Sequence, residues 1–137
     1  MRILLVEDNA MNSTLFSAVF EHEGHLVTLA NTGPDGLAAA LRDAFELIVL
    51  DIELPGLRGD AICRQLRAAG VRTPMVALTA SAMPDQLVVI STAGFNEVMT
   101  KPAEPKQLRA MVRRYDRQGD PADGPVPVNA GSRPSGS

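Results

Sequence analysis

The strongest constraint on the fold is a regular alternation of two hydrophobic patterns along the chain. Three short, continuous apolar runs have the pattern of parallel strands buried on both faces, at 2–6 (RILLV), 47–50 (LIVL) and 75–78 (MVAL). Weaker strands are predicted at 26–30 (LVTLA) and 96–99 (NEVM). Because a segment with helical spacing follows each strand, the sequence predicts an α/β fold: a doubly wound, five-stranded parallel sheet with helices on both faces.

Five helices are predicted from apolar residues that recur at intervals of three and four. The inward-facing residues proposed for the first three helices are Met11, Leu15, Ala18 and Val19, then Leu37, Ala38 and Leu41, then Ile62, Cys63 and Leu66. The fourth helix begins near Pro84 and turns Leu87, Ile90 and Ala93 toward the sheet. The last helix, over 105–117, is predicted to bury one apolar face and to turn its basic residues outward.

Composition excludes several classes of protein. The 137 residues fit one domain, with 45% apolar and 21% charged residues. With 13 basic against 16 acidic residues and 4% aromatics, no direct nucleic-acid binding is expected. No apolar run is long enough for membrane insertion and no signal peptide is recognisable, so a cytoplasmic protein is expected. The single Cys63 excludes an internal disulfide and metal sites built on paired cysteines.

The chain divides at about residue 118. Of the 19 residues from 119 to 137, 11 are Gly, Pro or Ser, so we expect residues 1–118 to form the domain and residues 119–137 a disordered tail. Met1 leads directly into the first strand, which favours a stand-alone domain. A domain excised from a longer protein would have the same sequence, so that alternative stays open.

Polar residues follow the predicted strands: Glu7 and Asp8, Asp51, Thr79 and Lys101. The carboxyl ends of parallel strands meet at one edge of the sheet, where ligands bind in such folds. Each close pair of carboxylates there costs on the order of 4 kcal/mol, so a positive charge must lie among them. An all-oxygen set suits a hard cation such as Mg²⁺. The lysine and the hydroxyl complete a set of groups able to hold a phosphoryl group.

Five sequence fragments then identify a family resemblance. They are VEDN at 6–9, LIVLDIELPGLRG at 47–59, ALTA at 77–80, AGF at 93–95 and TKP at 100–102. With these fragments the chain resembles, from residue 1 to about 117, the receiver domain of bacterial two-component response regulators, and in particular the stand-alone receivers of chemotaxis. The resemblance implies a flavodoxin-like sheet with strand order 2-1-3-4-5.

The resemblance also implies roles for individual residues. Asp51 would be the phosphoacceptor, and Glu7 and Asp8 would be the acidic pair that holds Mg²⁺ with it. Glu53 would contribute its main-chain carbonyl to the metal. Thr79 would donate its hydroxyl to a phosphoryl oxygen.

Lys101 would pair with the phosphate, beside a cis peptide bond to Pro102. The phosphoryl group would come from a sensor histidine kinase or a histidine phosphotransferase. Such a domain is a switch rather than an enzyme, although it assists its own phosphorylation and dephosphorylation. Its output would be contact with a downstream protein target, or with a second copy of itself, through the face made by the fourth helix, the fifth strand and the last helix.

Three positions within the resemblance are unusual or variable. Val98 occupies a position where many receivers carry an aromatic ring that turns inward, so a ring-flip readout is not expected. Glu53 and Ser81 occupy variable positions at which a side chain can affect the attack of water.

The output face has a candidate apolar patch. Val88 and Val89 are predicted to lie on the exposed side of the fourth helix, where they would form this patch. Arg109 and Arg113 are expected to rim it.

Other interpretations use the same residues. Asp8 and Asn9 are also good N-cap residues for the first helix. A phosphatase of the haloacid dehalogenase type has a similar set of groups, but its nucleophile comes first in the chain, in an Asp-x-Asp motif, whereas here the acidic pair precedes Asp51 and the motif is Asp-Ile-Glu. A receiver-like interaction module that is never phosphorylated is a third possibility, and metal and phosphodonor binding would distinguish it. The scarcity of aromatic residues disfavours a flavin carrier.

Overall fold

The computed structural model describes residues 1–118, in which five strands alternate with five helices. The strands are β1 (Arg2–Val6), β2 (Leu26–Ala30), β3 (Leu47–Asp51), β4 (Met75–Thr79) and β5 (Glu97–Thr100). The helices are α1 (Ala10–His22), α2 (Gly33–Arg42), α3 (Gly59–Ala68), α4 (Pro84–Ala93) and α5 (Pro105–Gln118). The tail expected at 119–137 lies outside the described residues.

All neighbouring strands are parallel and lie in the order β2-β1-β3-β4-β5, which confirms the predicted topology. The continuous apolar runs form the three central strands, which are covered on both faces. In the register, Val6 lies beside Leu50, and Asp51 lies beside Leu78. The residues that follow β1, β3 and β4 therefore emerge together at one edge of the sheet.

Helices cover both faces of the sheet. On one face, α1 and α5 pack against it through Phe16, Phe20, Leu108, Met111 and Val112. On the other face, α2 and α3 form a second core with the sheet, which Ala93 of α4 joins. No helix among residues 1–118 is long and apolar enough to cross a membrane.

The predicted inward faces of α1 and α2 are largely wrong. In α1, Met11, Leu15 and Ala18 are exposed, and of the predicted set only Val19 is buried. The buried face of α1 comprises Ser13, Phe16, Val19 and Phe20. Apolar residues surround much of this helix, and the two phenylalanines decide which face turns inward because they bury the largest apolar area.

In α2, Ala38 and Leu41 are exposed and Leu37 is only partly buried. The buried face comprises small residues, Gly33, Gly36, Ala39 and Ala40. A Cβ added at Gly36 would lie 2.6 Å from Val6 Cγ2. The helix lies so close to β1 that small residues face the sheet and the leucines are left outside.

The predictions for the other helices agree better with the structure. Ile62, Cys63 and Leu66 of α3 are buried. In α4, Ile90 and Ala93 are buried and Leu87 partly so, and Val88 is 61% exposed as expected. Val89, however, is only partly exposed.

The prediction that Arg109 and Arg113 of α5 rim the apolar patch is not confirmed for Arg113. Arg113 turns toward α1, where its Nε donates to Glu23 Oε1 at 2.7 Å. Arg114, which the sequence analysis did not single out, lies beside β5 instead and pairs with Glu97. Arg109 is partly buried.

Candidate acidic site at the carboxyl edge of the sheet

Three carboxylates meet where β1 and β3 end. Glu7, Asp8 and Asp51 each offer one oxygen, and these oxygens lie within 4.8 Å of one another. Glu7 is 0% and Asp51 1% exposed, whereas Asp8 is exposed. The structure thus brings together the acidic residues that the sequence placed at these strand ends.

Lys101, just beyond the end of β5, provides the counter-charge in the described part of this site. Its Nζ lies 2.8 Å from Asp51 Oδ2 and 3.3 Å from Glu7 Oε1. Burial alone would lower the pKa of Lys101. The hydrogen bond to Asp51 and the charges of Asp51 and Glu7 outweigh burial, so the pKa is raised above its ordinary value. The ammonium group therefore stays charged among the carboxylates.

Glu7 is the strained member of the cluster. Burial, and then the charge of Asp51, raises the pKa of Glu7, although the Asn9 N–H and Lys101 act in the opposite direction. The Asn9 N–H donates to Glu7 Oε2 at 3.1 Å. Glu7 Oε1 is buried and accepts no hydrogen bond from the described residues.

These observations allow a test of whether the site fits a divalent cation. The acidic ligands are all oxygens, one of them is buried and accepts no hydrogen bond from the described residues, and one lysine lies beside two of the three carboxylates. Hard cations such as Mg²⁺ prefer this chemistry. The residues present fit Mg²⁺.

Backbone groups of the loop after β3 fix the position of Asp51. The Glu53 N–H donates to Asp51 Oδ1 at 3.1 Å, and the Gly59 N–H donates to the Ile52 carbonyl at 3.1 Å. A Cβ added at Gly59 would lie 2.2 Å from the Asp51 carbonyl oxygen, so only glycine fits at this close approach. The role of the Glu53 main-chain carbonyl as a metal ligand stays a prediction.

The start of α1 separates two interpretations of Asp8. The N-cap is Asn9, whose Oδ1 accepts the Asn12 N–H at 2.9 Å. The cap therefore does not use the Asp8 carboxylate, which lies with the acidic cluster instead.

Thr79 ends β4 and is fully buried. Its Oγ1 lies 2.9 Å from Glu53 Oε2 and also 2.9 Å from the Ser81 carbonyl oxygen. The Ala80 N–H donates to Glu53 Oε1 at 3.1 Å. The Glu53 carboxylate thus bridges two donors at the end of β4, an arrangement that the sequence analysis missed. The available signal was only that Glu53 and Thr79 follow neighbouring strands.

The end of β5 completes the site. The Lys101–Pro102 peptide bond is cis, as the resemblance led us to expect. The Lys101 N–H donates to the Thr79 carbonyl at 2.8 Å, so the lysine and the threonine are joined through the backbone as well. Val98 packs beside a small cluster that includes Ala77 and Ile90.

Comparison with known proteins gives a consistent result. A family model described as the response regulator receiver domain matches residues 3–113. The chain is 38% identical over 117 residues to a transcriptional regulatory protein, YkoG, of Bacillus subtilis, covering 85% of this chain and 51% of that protein. It is 38% identical over 113 residues to the sensor histidine kinase AruS of Pseudomonas aeruginosa, covering 80% of this chain and 11% of the kinase. The chain thus spans about half of the first relative and a much smaller part of the second.

One solved structure is similar to this chain in both fold and sequence. The receiver domain of the sensor histidine kinase PA1611 from Pseudomonas aeruginosa PAO1 is 35% identical, with a TM-score of 0.77, over 83% of this chain and 95% of that one. That crystal structure has a magnesium ion coordinated in its active site cleft.

Proposed function

This chain belongs to the response regulator receiver domain family of two-component systems, and on that premise we propose that it is a phosphorylation-controlled switch whose phosphoacceptor is Asp51. The observation that carries the proposal is the environment of the Asp51 carboxylate. It is buried, Lys101 Nζ lies 2.8 Å from Oδ2, and the Glu53 N–H donates to Oδ1. The ionised carboxylate is the nucleophilic form, and both of its oxygens lie against donors here.

The proposed reaction is transfer from a phosphohistidine of a sensor histidine kinase or a histidine phosphotransferase. An oxygen of Asp51 forms a bond to phosphorus while the bond from phosphorus to the imidazole nitrogen breaks. The electron pair of the broken bond stays on the imidazole, and the product on this chain is an acyl phosphate. Acyl phosphates hydrolyse readily, so the phosphorylated state has a finite lifetime. The relative AruS is itself a sensor histidine kinase, which supports this class of partner.

Lys101 and Thr79 are the groups proposed to hold the phosphoryl oxygens. Lys101 lies directly beside Asp51. Its positive charge can stabilise the negative charge of the phosphoryl oxygens during transfer and in the product. The Thr79 hydroxyl is buried at the end of the adjacent strand and can donate one hydrogen bond.

Mg²⁺ is the proposed cofactor. Glu7, Asp8 and Asp51 would hold it through their carboxylates, with the main-chain carbonyl of Glu53. When bound, it would supply positive charge that offsets the mutual repulsion of the carboxylates and that of the entering phosphoryl oxygens. The buried Oε1 of Glu7 supports the assignment, because it lies 3.3 Å from Lys101 Nζ but accepts no hydrogen bond from the described residues.

The proposed output surface is the face of α4, β5 and α5. Two grooves flank β5, one lined by Leu87, Ile90 and Val98 and the other by Met99 and residues of α5. The exposed Val88 lies on the same helix as the first groove. We propose that this face binds a downstream protein target or a second copy, and that residues 1–118 form the signalling domain, acting in the cytoplasm.

Incubation with acetyl phosphate, with and without Mg²⁺, tests the proposal. Intact-mass analysis should show a gain of one phosphoryl group in the wild type only with Mg²⁺. Asp51→Asn should show none because an amide is not a nucleophile, and Asp35→Asn, at an exposed position in α2, should behave as wild type. A stable gain in Asp51→Asn, or no gain in the wild type, would contradict the assignment.

A further inference from the structure

The side chain of Glu53 occupies the Thr79 hydroxyl, which the proposed function reserves for the phosphoryl group, and the neighbouring Ala80 amide. Glu53 Oε2 lies 2.9 Å from Thr79 Oγ1, and Glu53 Oε1 accepts the Ala80 N–H at 3.1 Å. One carboxylate therefore bridges a hydroxyl and a backbone amide of consecutive residues. The bridge joins the loop after β3 to the end of β4.

Both donors suit an anion. A carboxylate is an anion with two acceptor oxygens, and hydrogen bonds to a charged acceptor are stronger than bonds between neutral groups. A phosphoryl group is an anion with three such oxygens and would use the same donors. The carboxylate of Glu53 is thus a chemical stand-in for the group that Asp51 would carry.

The local geometry allows Glu53 to leave. Glu53 is solvent-exposed, although its N–H is fixed by the bond to Asp51 Oδ1. Thr79 Oγ1 lies equally close to the Ser81 carbonyl oxygen, and its single proton can serve only one of these two acceptors at a time. Rotation of the Glu53 side chain into solvent would therefore leave the Thr79 hydroxyl hydrogen-bonded and Asp51 in place.

We propose that Glu53 is a tethered competitor of the phosphoryl group: its carboxylate occupies the Thr79 hydroxyl and the Ala80 amide in the resting domain and must leave when Asp51 is phosphorylated. The inference rests on the proposed function, since it needs an anion to arrive at Asp51. Its consequence is regulatory. The competition weakens the hold of the site on a phosphoryl group and favours the resting conformation.

Beryllofluoride, a phosphoryl mimic that binds an aspartate without a covalent step, is the probe. Its affinity is measured with Mg²⁺ present for the wild type, Glu53→Ala, Glu53→Asp and the control Glu21→Ala. Glu21 is an exposed acid roughly 18 Å along α1 from the site. Glu53→Asp keeps the charge but shortens the side chain by one methylene, so it separates occupation of the donors from general repulsion. The Ala80 amide resonance in ¹H–¹⁵N spectra reports the resting contact directly.

Competition predicts that Glu53→Ala and Glu53→Asp bind beryllofluoride about tenfold more tightly than the wild type, since two hydrogen bonds no longer have to be broken. The Ala80 amide should shift in both resting variants and not in Glu21→Ala. Equal affinities in all four proteins, or an unmoved Ala80 resonance, would overturn the inference and leave the proposed function intact. Tighter binding in Glu53→Ala alone would also overturn it, because repulsion would then suffice. Binding by none of the four would contradict the proposed function itself, and the inference with it.

Discussion

Lys101 Nζ lies 2.8 Å from Asp51 Oδ2 and so joins the ends of β5 and β3, two strands separated in the sheet by β4. The same ammonium lies 3.3 Å from Glu7 Oε1, beyond the end of β1. Among the described residues, this lysine is the cation that both buried carboxylates share. The metal-free site therefore depends on it for charge balance.

Lys101→Met should destabilise the metal-free protein at neutral pH by roughly 3 kcal/mol, because it leaves Glu7 and Asp51 buried with no counter-charge. Added Mg²⁺ should restore more stability to this variant than to the wild type. The measurement is urea unfolding with EDTA and then with Mg²⁺. Lys106→Met, at an exposed lysine of α5, is the matched control. A Lys101→Met variant as stable as this control in EDTA would show that the pair contributes nothing to the resting fold.

Glu7→Gln should have the opposite effect. Burial and the charge of Asp51 raise the pKa of Glu7 above its ordinary value of 4.5, so between the two values the folded state binds more protons than the unfolded state. Stability falls as pH rises above 4.5, because the buried carboxyl must then lose its proton in the folded state. The neutral amide should therefore make the EDTA-treated protein more stable than the wild type at pH 7.

The advantage of Glu7→Gln should shrink as the pH falls below 4.5, where the wild-type carboxyl becomes protonated in both states. Unfolding in urea at several pH values measures it, with Glu21→Gln as the control. A variant that is less stable than the wild type at pH 7 would mean that Glu7 is not strained.

Asp8→Asn should separate metal binding from stability. Asp8 is exposed and does not cap α1, so the free energy of unfolding in EDTA should change by less than about 0.5 kcal/mol. Mg²⁺ affinity, measured by calorimetry, should fall at least tenfold because a charged ligand is lost. Asp85→Asn, in the first turn of α4, should retain wild-type affinity. Equal Mg²⁺ affinity in Asp8→Asn and wild type would remove Asp8 from the metal site.

The fold was largely predictable because the central strands are continuous apolar runs with no competing helical period. The faces of two helices were not. In α1, exposed Met11 and Leu15 have the same spacing as buried residues, so periodicity alone could not choose between them. In α2 the close approach of Gly36 to Val6 turns the leucines outward, and that distance is a tertiary property.

In the candidate site, too, some features were predictable from the sequence and others were not. Strand ends determine where Asp51, Thr79 and Lys101 lie, so topology and residue type sufficed to bring them together. The hydrogen bond from Thr79 to Glu53 depends on the conformation of an exposed side chain, which no spacing in the sequence encodes. The pairing of Arg113 with Glu23 likewise depends on how α5 is rotated against α1.

The Glu23–Arg113 ion pair should make the free energy of unfolding depend on pH in the acid range. The hydrogen bond from Arg113 holds the pKa of Glu23 below its ordinary value of 4.5. A lowered folded-state pKa contributes stability that is present above the ordinary value and is lost as pH falls through the folded one. Arg113→Gln should therefore be less stable than the wild type at pH 7, with the difference closing below pH 4.5. Arg117→Gln is the control, and a difference that persists unchanged at acid pH would assign the effect of Arg113 to packing.

Val88→Asp should test the proposed output face without disturbing the fold. Val88 is 61% exposed on α4, whereas Val89 is partly buried and is left unchanged. The variant should accept phosphate at Asp51 as the wild type does, because the substitution lies outside the acidic site. A charge on this face should weaken docking of an apolar partner surface, so phosphorylation-dependent self-association, measured by light scattering, or partner binding should be lost. Leu41→Asp places the same change at an exposed leucine of α2 and should keep both. Unchanged association and partner binding in phosphorylated Val88→Asp would exclude the exposed side of α4 from the output surface.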